Sequence, residues 1–247
     1  MTAAQKGCYI ASSFKIHGPL RRARRLQSIQ GIVAGVFAIL LGLSVHEYAH
    51  ARAARAQGDY TAEELGRLTL NPLAHIDLFG TIIVPLLLLV SSGGRVGFGW
   101  AKPVPVNAFN FKSPRKGVII VSLAGPASNI ALATLAAVVF RLAQPILAGG
   151  IGSALFLILG TIILLNLYLA FFNLIPVPPL DGSGVLSAIL PLEWARRYES
   201  IGRFGMLLLI LLIATGGIHF LAGRPAFYLF RLLIGEPGYY LFLSLTG

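Results

Sequence analysis

Long apolar runs, separated by short polar or basic segments, dominate the pattern of the chain. The first run extends from Gly31 to about Ala56, and later runs cover residues 117–140, 153–173, 203–220 and about 226–245. A membrane-spanning helix needs about 20 mostly apolar residues. A shorter run at 80–90 has about half that length and predicts a segment that dips into the membrane or packs at its edge. We therefore expect an all-α polytopic membrane protein with about five to six transmembrane helices.

Residues 91–111 have a different pattern. They read SSGGRVGFGWAKPVPVNAFNF, in which glycines are followed by Val104 and Val106 alternating with prolines. This alternation predicts extended backbone or a hairpin. Non-helical backbone survives at membrane depth only where protein or water satisfies its polar groups. We therefore expect a re-entrant β-hairpin-like segment beside a cavity, in addition to the helices.

Composition and charge agree with a membrane protein. Of the 247 residues, 56% are hydrophobic and only 12% are charged, whereas soluble domains contain about 25% charged residues. The net charge of +11 comes from Lys and Arg residues in short clusters between the apolar runs, where they meet anionic headgroups. A nucleic-acid interface needs instead a basic face interleaved with aromatic residues. The expected partner is therefore the lipid bilayer and not a nucleic acid.

The organisation of the chain is simple. Residues 1–30 are mixed and basic, which predicts a flexible leader. Residues 31–247 contain no internal repeat or low-complexity linker and predict a single transmembrane domain, with a core at 31–190 and two C-terminal helices at about 203–245. The single cysteine, Cys8, excludes an internal disulfide and a thiolate metal cluster.

The strongest chemical signal is the motif His46-Glu47-Tyr48-Ala49-His50 at the end of the first apolar run. On an α-helix, residues i and i+4 differ by about 40° around the axis and about 6 Å along it, so His46 and His50 can bind one metal ion. Glu47 lies close enough to act on a water molecule at that ion, as in zinc hydrolases with an HExxH motif. Three ionisable residues at membrane depth are costly, which favours a metal site over incidental histidines.

A catalytic zinc site needs a third protein ligand and one open position. Asp181 is the preferred candidate, because it follows a long apolar run in a proline-broken segment and a carboxylate there needs a cation. His75 is the alternative, since it lies in a polar connection after the first helix. The sequence thus predicts a metal site with two ligands on the first helix and a third from a distant part of the chain.

Three motifs together resemble the signatures of the site-2 protease family of intramembrane metalloproteases. They are HEYAH at 46–50, AGPASN at 124–129 and NLIPVPPLDG at 173–182, in the order that the family has them. The resemblance extends over about residues 31–190. It implies a compact member of the family, because residues 58–116 leave no room for an inserted PDZ domain and no CBS domain follows the last helices.

The resemblance also implies roles for individual residues. In the family's pattern, His46, His50 and Asp181 bind zinc, and Glu47 is the catalytic base. Zinc is therefore the expected cofactor.

Candidate substrate contacts lie in two places. Residues 97–107 are similar to the family's re-entrant β element, so Val104 and Val106 are expected to pair with an unwound substrate strand. The amide of Asn173 can hydrogen-bond the substrate backbone or the oxyanion, or it can join helices or cap the break in its own helix. Small residues surround Asn129, which favours a role in helix packing.

The expected function is that of an intramembrane zinc endopeptidase, in which Glu47 activates a zinc-bound water to cut single-span membrane proteins within or near their transmembrane segments. The alternative is a metal-ion transporter or metal-sensing membrane protein that uses the same ligands. A transporter predicts ligands along a path across the bilayer, often with repeat symmetry, and the sequence has neither. An inactive scaffold would have a damaged motif, and every motif is intact. The sequence leaves the oligomeric state open.

The distribution of Lys and Arg residues gives an orientation. Without the leader, most of them lie on the side where the first span ends, which the positive-inside rule places in the cytosol. Inclusion of the leader makes the two sides nearly equal. We expect a multi-pass protein of the plasma or inner membrane with its active site nearer the cytosolic face.

Overall fold

The computed structural model describes residues 17–84, 87, 102–146 and 150–246. Its α-helices are α1 (His17–Gln57), α2 (Thr61–Glu64), α3 (Pro114–Ala143), α4 (Gly150–Asn173), α5 (Asp181–Ile189), α6 (Leu192–Ile201), α7 (Gly205–Ala214) and α8 (Arg224–Thr246). Short 3-10 helices cover Pro72–His75, Ala108–Asn110 and Gly202–Phe204, and π-helical turns cover Leu78–Ile83 and His219–Gly223. The described ranges contain no β-strand.

Three helical segments in the described ranges are long and apolar enough to cross a membrane: Ile29–Gln57, Pro114–Ala143 and Gly152–Asn173. Two further helical segments, Leu192–Ala214 and His219–Thr246, meet at 77° and count as a fourth if the bent pair forms one span. The chain is therefore an integral membrane protein that is all-helical in the described ranges. The predicted number of five to six spans is not confirmed.

The predicted span at 203–220 is interrupted. Helix α7 ends at Ala214, and Gly216 follows with φ of 75°, a conformation that glycine adopts at little steric cost. With 10 residues, α7 is about 15 Å long, which is half the thickness of the hydrocarbon core. Hydropathy alone could not show this interruption, because the residues on both sides of the glycine are apolar.

The bundle core joins α1, α3, α4 and α8. Its largest fully buried side chains include Phe140, Ile163, Leu167 and Phe230. Alanines at the helix contacts, such as Ala133, let the backbones approach closely, as helices in membranes require. This core holds α1 and α3 side by side and so fixes the part of α1 that carries the HEYAH motif.

Two segments that were expected to be irregular are described only in part. Helix α1 begins at His17, so residues 17–30 of the expected flexible leader are helical, and residues 1–16 lie outside the described ranges. Of the expected β-hairpin-like segment at 97–107, residues up to 101 also lie outside them. Residues 102–107 are irregular and form no strand pairing.

Candidate metal centre

Helix α1 places His46 and His50 one turn apart with their rings on the same side. Both side chains are buried, and their Nε2 atoms are 2.9 Å apart. This is the arrangement that the i, i+4 spacing predicts.

Asp181 approaches the two histidines from a different part of the chain. Prolines end α4, and the first residue of the next helix, α5, is Asp181. A Cβ on Gly182 would collide with the backbone carbonyl of Leu174, so only glycine lets α5 start this close to the end of α4. Asp181 Oδ2 consequently lies 3.1 Å from His46 Nε2 and 3.3 Å from His50 Nε2.

Hydrogen bonds on the far side of each ring fix which nitrogen faces Asp181. His46 Nδ1 lies 2.6 Å from Asn129 Oδ1, and His50 Nδ1 lies 2.7 Å from the carbonyl oxygen of Val121. Both partners are acceptors, so each Nδ1 carries the hydrogen and each Nε2 presents a lone pair. Metal-binding histidines are oriented in the same way.

The donor set fits a zinc ion. The two Nε2 atoms and Asp181 Oδ2 lie within 4.8 Å of one another, and Oδ2 is buried without a hydrogen-bond partner. Three converging lone pairs without a hydrogen between them need a cation. Two nitrogens, one carboxylate and an open position are a usual ligand set for catalytic zinc.

Gly125 of α3 makes room for both imidazoles. A Cβ at this position would lie 2.5 Å from His50 Nε2 and 2.6 Å from His46 Nε2. The AGPASN motif therefore allows α3 to pass directly against the metal-binding atoms. The sequence alone indicated helix packing around Asn129 but not this contact.

Glu47 is buried beside the cluster and has a main-chain partner. Its Oε2 accepts a hydrogen bond of 2.9 Å from the backbone N–H of Val104. Val104 was predicted to contact substrate, and in the structure it contacts the candidate catalytic base. Val106, two residues further, is 39% exposed, and its role in substrate binding stays a prediction.

The segment 102–107 is held at both ends. Arg67 Nη2 donates to the carbonyl of Lys102 at 2.7 Å, and the N–H of Lys102 donates to the carbonyl of His75 at 2.9 Å. At the other end, the N–H of Asn107 donates to Asp59 Oδ2 at 2.7 Å. These bonds keep the N–H of Val104 against Glu47.

Asp59 is fully buried and ionised. Burial opposes ionisation, but hydrogen bonds from Thr61, Asn107 and Asn110 outweigh it and hold the pKa of Asp59 below its usual range. This carboxylate therefore ties the end of α1 to the segment that reaches Glu47.

His75, the alternative third ligand, does not join the cluster. It is buried, and its Nε2 lies 2.9 Å from the carbonyl oxygen of Thr69. Asn173 is half-buried, and its Nδ2 donates to the carbonyl of Leu169, one turn earlier in α4, at 3.0 Å. Its proposed contact with substrate stays a prediction.

We expect Asp181→Ala to lose zinc and His75→Ala to keep it. Loss of one of three ligands should weaken zinc binding by more than the 10- to 100-fold, roughly, that is typical of changes around a ligand. Zinc content of the purified variants, measured by mass spectrometry, checks this. If only His75→Ala loses zinc, the assignment of Asp181 is wrong.

Comparison with known proteins gives a consistent result. The sequence profile of Peptidase family M50 matches residues 34–155 and 147–213. A Bacillus subtilis (strain 168) protein named "Putative zinc metalloprotease YwhC" is 38% identical over 183 residues, which are 73% of this chain and 80% of the relative. Rip2 of Mycolicibacterium smegmatis, named in the same way, is 32% identical over 185 residues, 73% of this chain and 66% of the relative. No solved structure matches the chain.

A further relative is covered less completely. Rip3 of Mycobacterium tuberculosis (strain ATCC 25618 / H37Rv) is 30% identical over 201 residues, which are 76% of this chain and 40% of the relative. The profile match includes the HEYAH, AGPASN and NLIPVPPLDG motifs that line the candidate metal centre. The chain therefore belongs to peptidase family M50, the site-2 protease family.

Proposed function

We propose that the chain is an intramembrane zinc endopeptidase that cuts single-span membrane proteins within or near their transmembrane segments. The observation that carries this proposal is the convergence of His46, His50 and Asp181 with Glu47 buried beside them. Metal binding alone would not need Glu47, whereas hydrolysis needs a base at this place.

The proposed chemistry divides between the ion and the chain. A bound zinc ion supplies Lewis-acid activation of a water molecule and of the peptide carbonyl. Glu47 takes a proton from the water and returns it to the leaving amine, as a general base and then a general acid. His46, His50 and Asp181 hold the ion, and Gly125 keeps α3 close against them.

The proposed substrate is a transmembrane helix that unwinds locally. The carbonyls of a helix are bonded to N–H groups four residues later, so the scissile carbonyl must leave its helix before it can react. The main chain beside Glu47, through the N–H of Val106 and the carbonyls of this segment, can bond to the unwound strand in a β-like manner. The exposed position of Val106 supports a place for this strand beside the segment 102–107.

The orientation of the site stays a proposal as well. The Lys and Arg residues near the end of the first span support an active site nearer the cytosolic face of the cell membrane. The lipid bilayer is then both the surroundings of the enzyme and the route by which a substrate helix arrives.

Metal removal tests the proposed function. In proteoliposomes that hold the protein and a labelled single-span substrate, we expect cleavage fragments that disappear after treatment with a zinc chelator and return when zinc is added. The same vesicles, loaded with a zinc-sensitive dye, report metal flux. Zinc flux without any cleavage would contradict the proposal and favour the transporter.

A further inference from the structure

We propose that Asn166, acting through Asn129, is a positioning residue that keeps His46 in the form that binds metal. The inference rests on the proposed zinc site but concerns residues that touch neither zinc nor substrate. It follows from a chain of hydrogen bonds that crosses three helices of the bundle.

Both amides lie in the interior. Asn129 on α3 and Asn166 on α4 are fully buried, although each helix is apolar enough to span a membrane. A buried amide without partners is costly, so polar residues in such helices are expected to have them. In the structure both amides have partners, and the bond between them continues through Asn129 to the ring of His46.

The bonds of Asn129 leave one orientation for its amide group. Its Nδ2 donates to the carbonyl of Gly42 at 3.1 Å and to Asn166 Oδ1 at 2.8 Å. Both hydrogens of the amide nitrogen are thereby used, and Oδ1 is left to accept from His46 Nδ1 at 2.6 Å. Oxygen and nitrogen of the amide cannot exchange places, because the oxygen would then face two acceptors.

Asn166 is itself held in place. Its Nδ2 donates to the carbonyl of Ile162, one turn earlier in α4, at 2.8 Å. This bond directs its Oδ1 toward Asn129. A Cβ on Gly42 would lie 2.7 Å from Asn166 Oδ1, so the glycine of α1, one turn before His46, leaves the space that the amide occupies.

The tautomer of His46 depends on these bonds. With Asn129 Oδ1 as acceptor, the hydrogen of the ring stays on Nδ1, and Nε2 is free to bind metal. If Asn129 turned its amide nitrogen toward the ring, the hydrogen would move to Nε2 and block the metal. His50 needs no such device, because its Nδ1 faces the backbone carbonyl of Val121, which cannot turn.

The test compares Asn166→Leu, which keeps the size of the side chain, with Thr161→Val on the same helix. Thr161 donates only to the carbonyl of Leu157 in its own helix. Zinc affinity is measured by competition with a chelating dye on protein purified in detergent, after thermal unfolding has shown that each variant is folded. We expect Asn166→Leu to bind zinc about 10- to 100-fold more weakly and Thr161→Val to match the wild type.

A double variant separates orientation from packing. In Asn129→Asp both terminal atoms are oxygens, so either one can accept from His46 Nδ1 without a partner to orient the group, and the other, when protonated, can donate to the carbonyl of Gly42 in place of the amide. The double variant Asn129→Asp/Asn166→Leu should therefore regain most of the affinity that Asn166→Leu loses. The absorption spectrum of bound Co²⁺ should follow the same order, because it reports ligand geometry directly.

Each result decides the proposal. Wild-type affinity in Asn166→Leu, or no recovery in the double variant, would overturn it. If Asn166→Leu does not fold, Asn166→Ala takes its place under the same expectation. If the wild-type protein binds no zinc, the proposed function is overturned as well. If the wild type binds zinc and the Asn166 variant binds it with the same affinity, only the positioning role is overturned.

Discussion

Glu47→Gln should abolish peptide cleavage and leave zinc binding intact. A positioned general base contributes about 10²- to 10⁴-fold to such a reaction, so the variant should fall to the background of the assay. Glutamine has nearly the same shape as glutamate but cannot take a proton from water. In the wild type, the N–H of Val104 donates to Glu47 Oε2 at 2.9 Å. The side-chain oxygen of glutamine can accept the same hydrogen bond, so the surrounding structure should persist.

The measurement is cleavage of a single-span substrate in proteoliposomes, with zinc content determined on the same preparation. Glu64→Gln is the matched control, because Glu64 is exposed on α2 and lies outside the candidate site. We expect full activity in this control. Cleavage at the wild-type rate by Glu47→Gln would exclude Glu47 as the base.

Gly125→Ala should remove zinc from the site although it adds a single methyl group. The new Cβ would lie 2.5 Å from His50 Nε2 and 2.6 Å from His46 Nε2, and one of the rings or α3 would have to move. Metal–ligand distances tolerate only about 0.2 Å of change. We therefore expect zinc affinity to fall by about 100-fold or more, beyond the usual effect of changes around a ligand, and cleavage to stop with it.

Gly35→Ala is the control for this prediction. A Cβ on Gly35 of α1 would have nothing within 4 Å, and alanine favours a helix over glycine by up to about 1 kcal/mol. This variant should keep its zinc and unfold at the same or a higher temperature. Zinc binding of wild-type strength in Gly125→Ala would show that the histidines are not held as the structure describes.

The spacing of residues within the HEYAH motif predicts the part of the candidate site that α1 supplies. The i, i+4 spacing of His46 and His50 already places both rings on one face of a helix, and Glu47 follows from the same motif. Asp181 was preferred over His75 because it stands without a cation after an apolar run, and the structure brings it to the two rings.

The remaining contacts depend on how distant helices pack. Asn166 was not singled out in the sequence, and helix packing was the favoured role for Asn129, because neither spacing nor composition shows that the two amides meet His46. A polar amide within a strongly apolar helix was the available signal for Asn166. The contact of Val104 with Glu47 joins residues 57 positions apart in the sequence and has no local signature.

In the fold too, some features follow from the local sequence and others depend on backbone conformation. The first three long spans follow from the length of their apolar runs. The bend between the last two helical segments, at 77°, depends on backbone conformations near Gly216 that hydropathy does not report.

The prolines beside Val104 restrict how another chain can join this segment. Pro103 and Pro105 have no N–H, and the N–H groups of Lys102, Val104 and Asn107 already donate to protein acceptors. Among residues 102–107, Val106 alone has an N–H without an acceptor in the described part of the chain. Under the proposed function, a substrate strand would therefore meet one available donor in this segment, the N–H of Val106. If the proposed strand also took the N–H of Val104, it would release the carboxylate of Glu47 in the same exchange, so that peptide binding would free the proposed base.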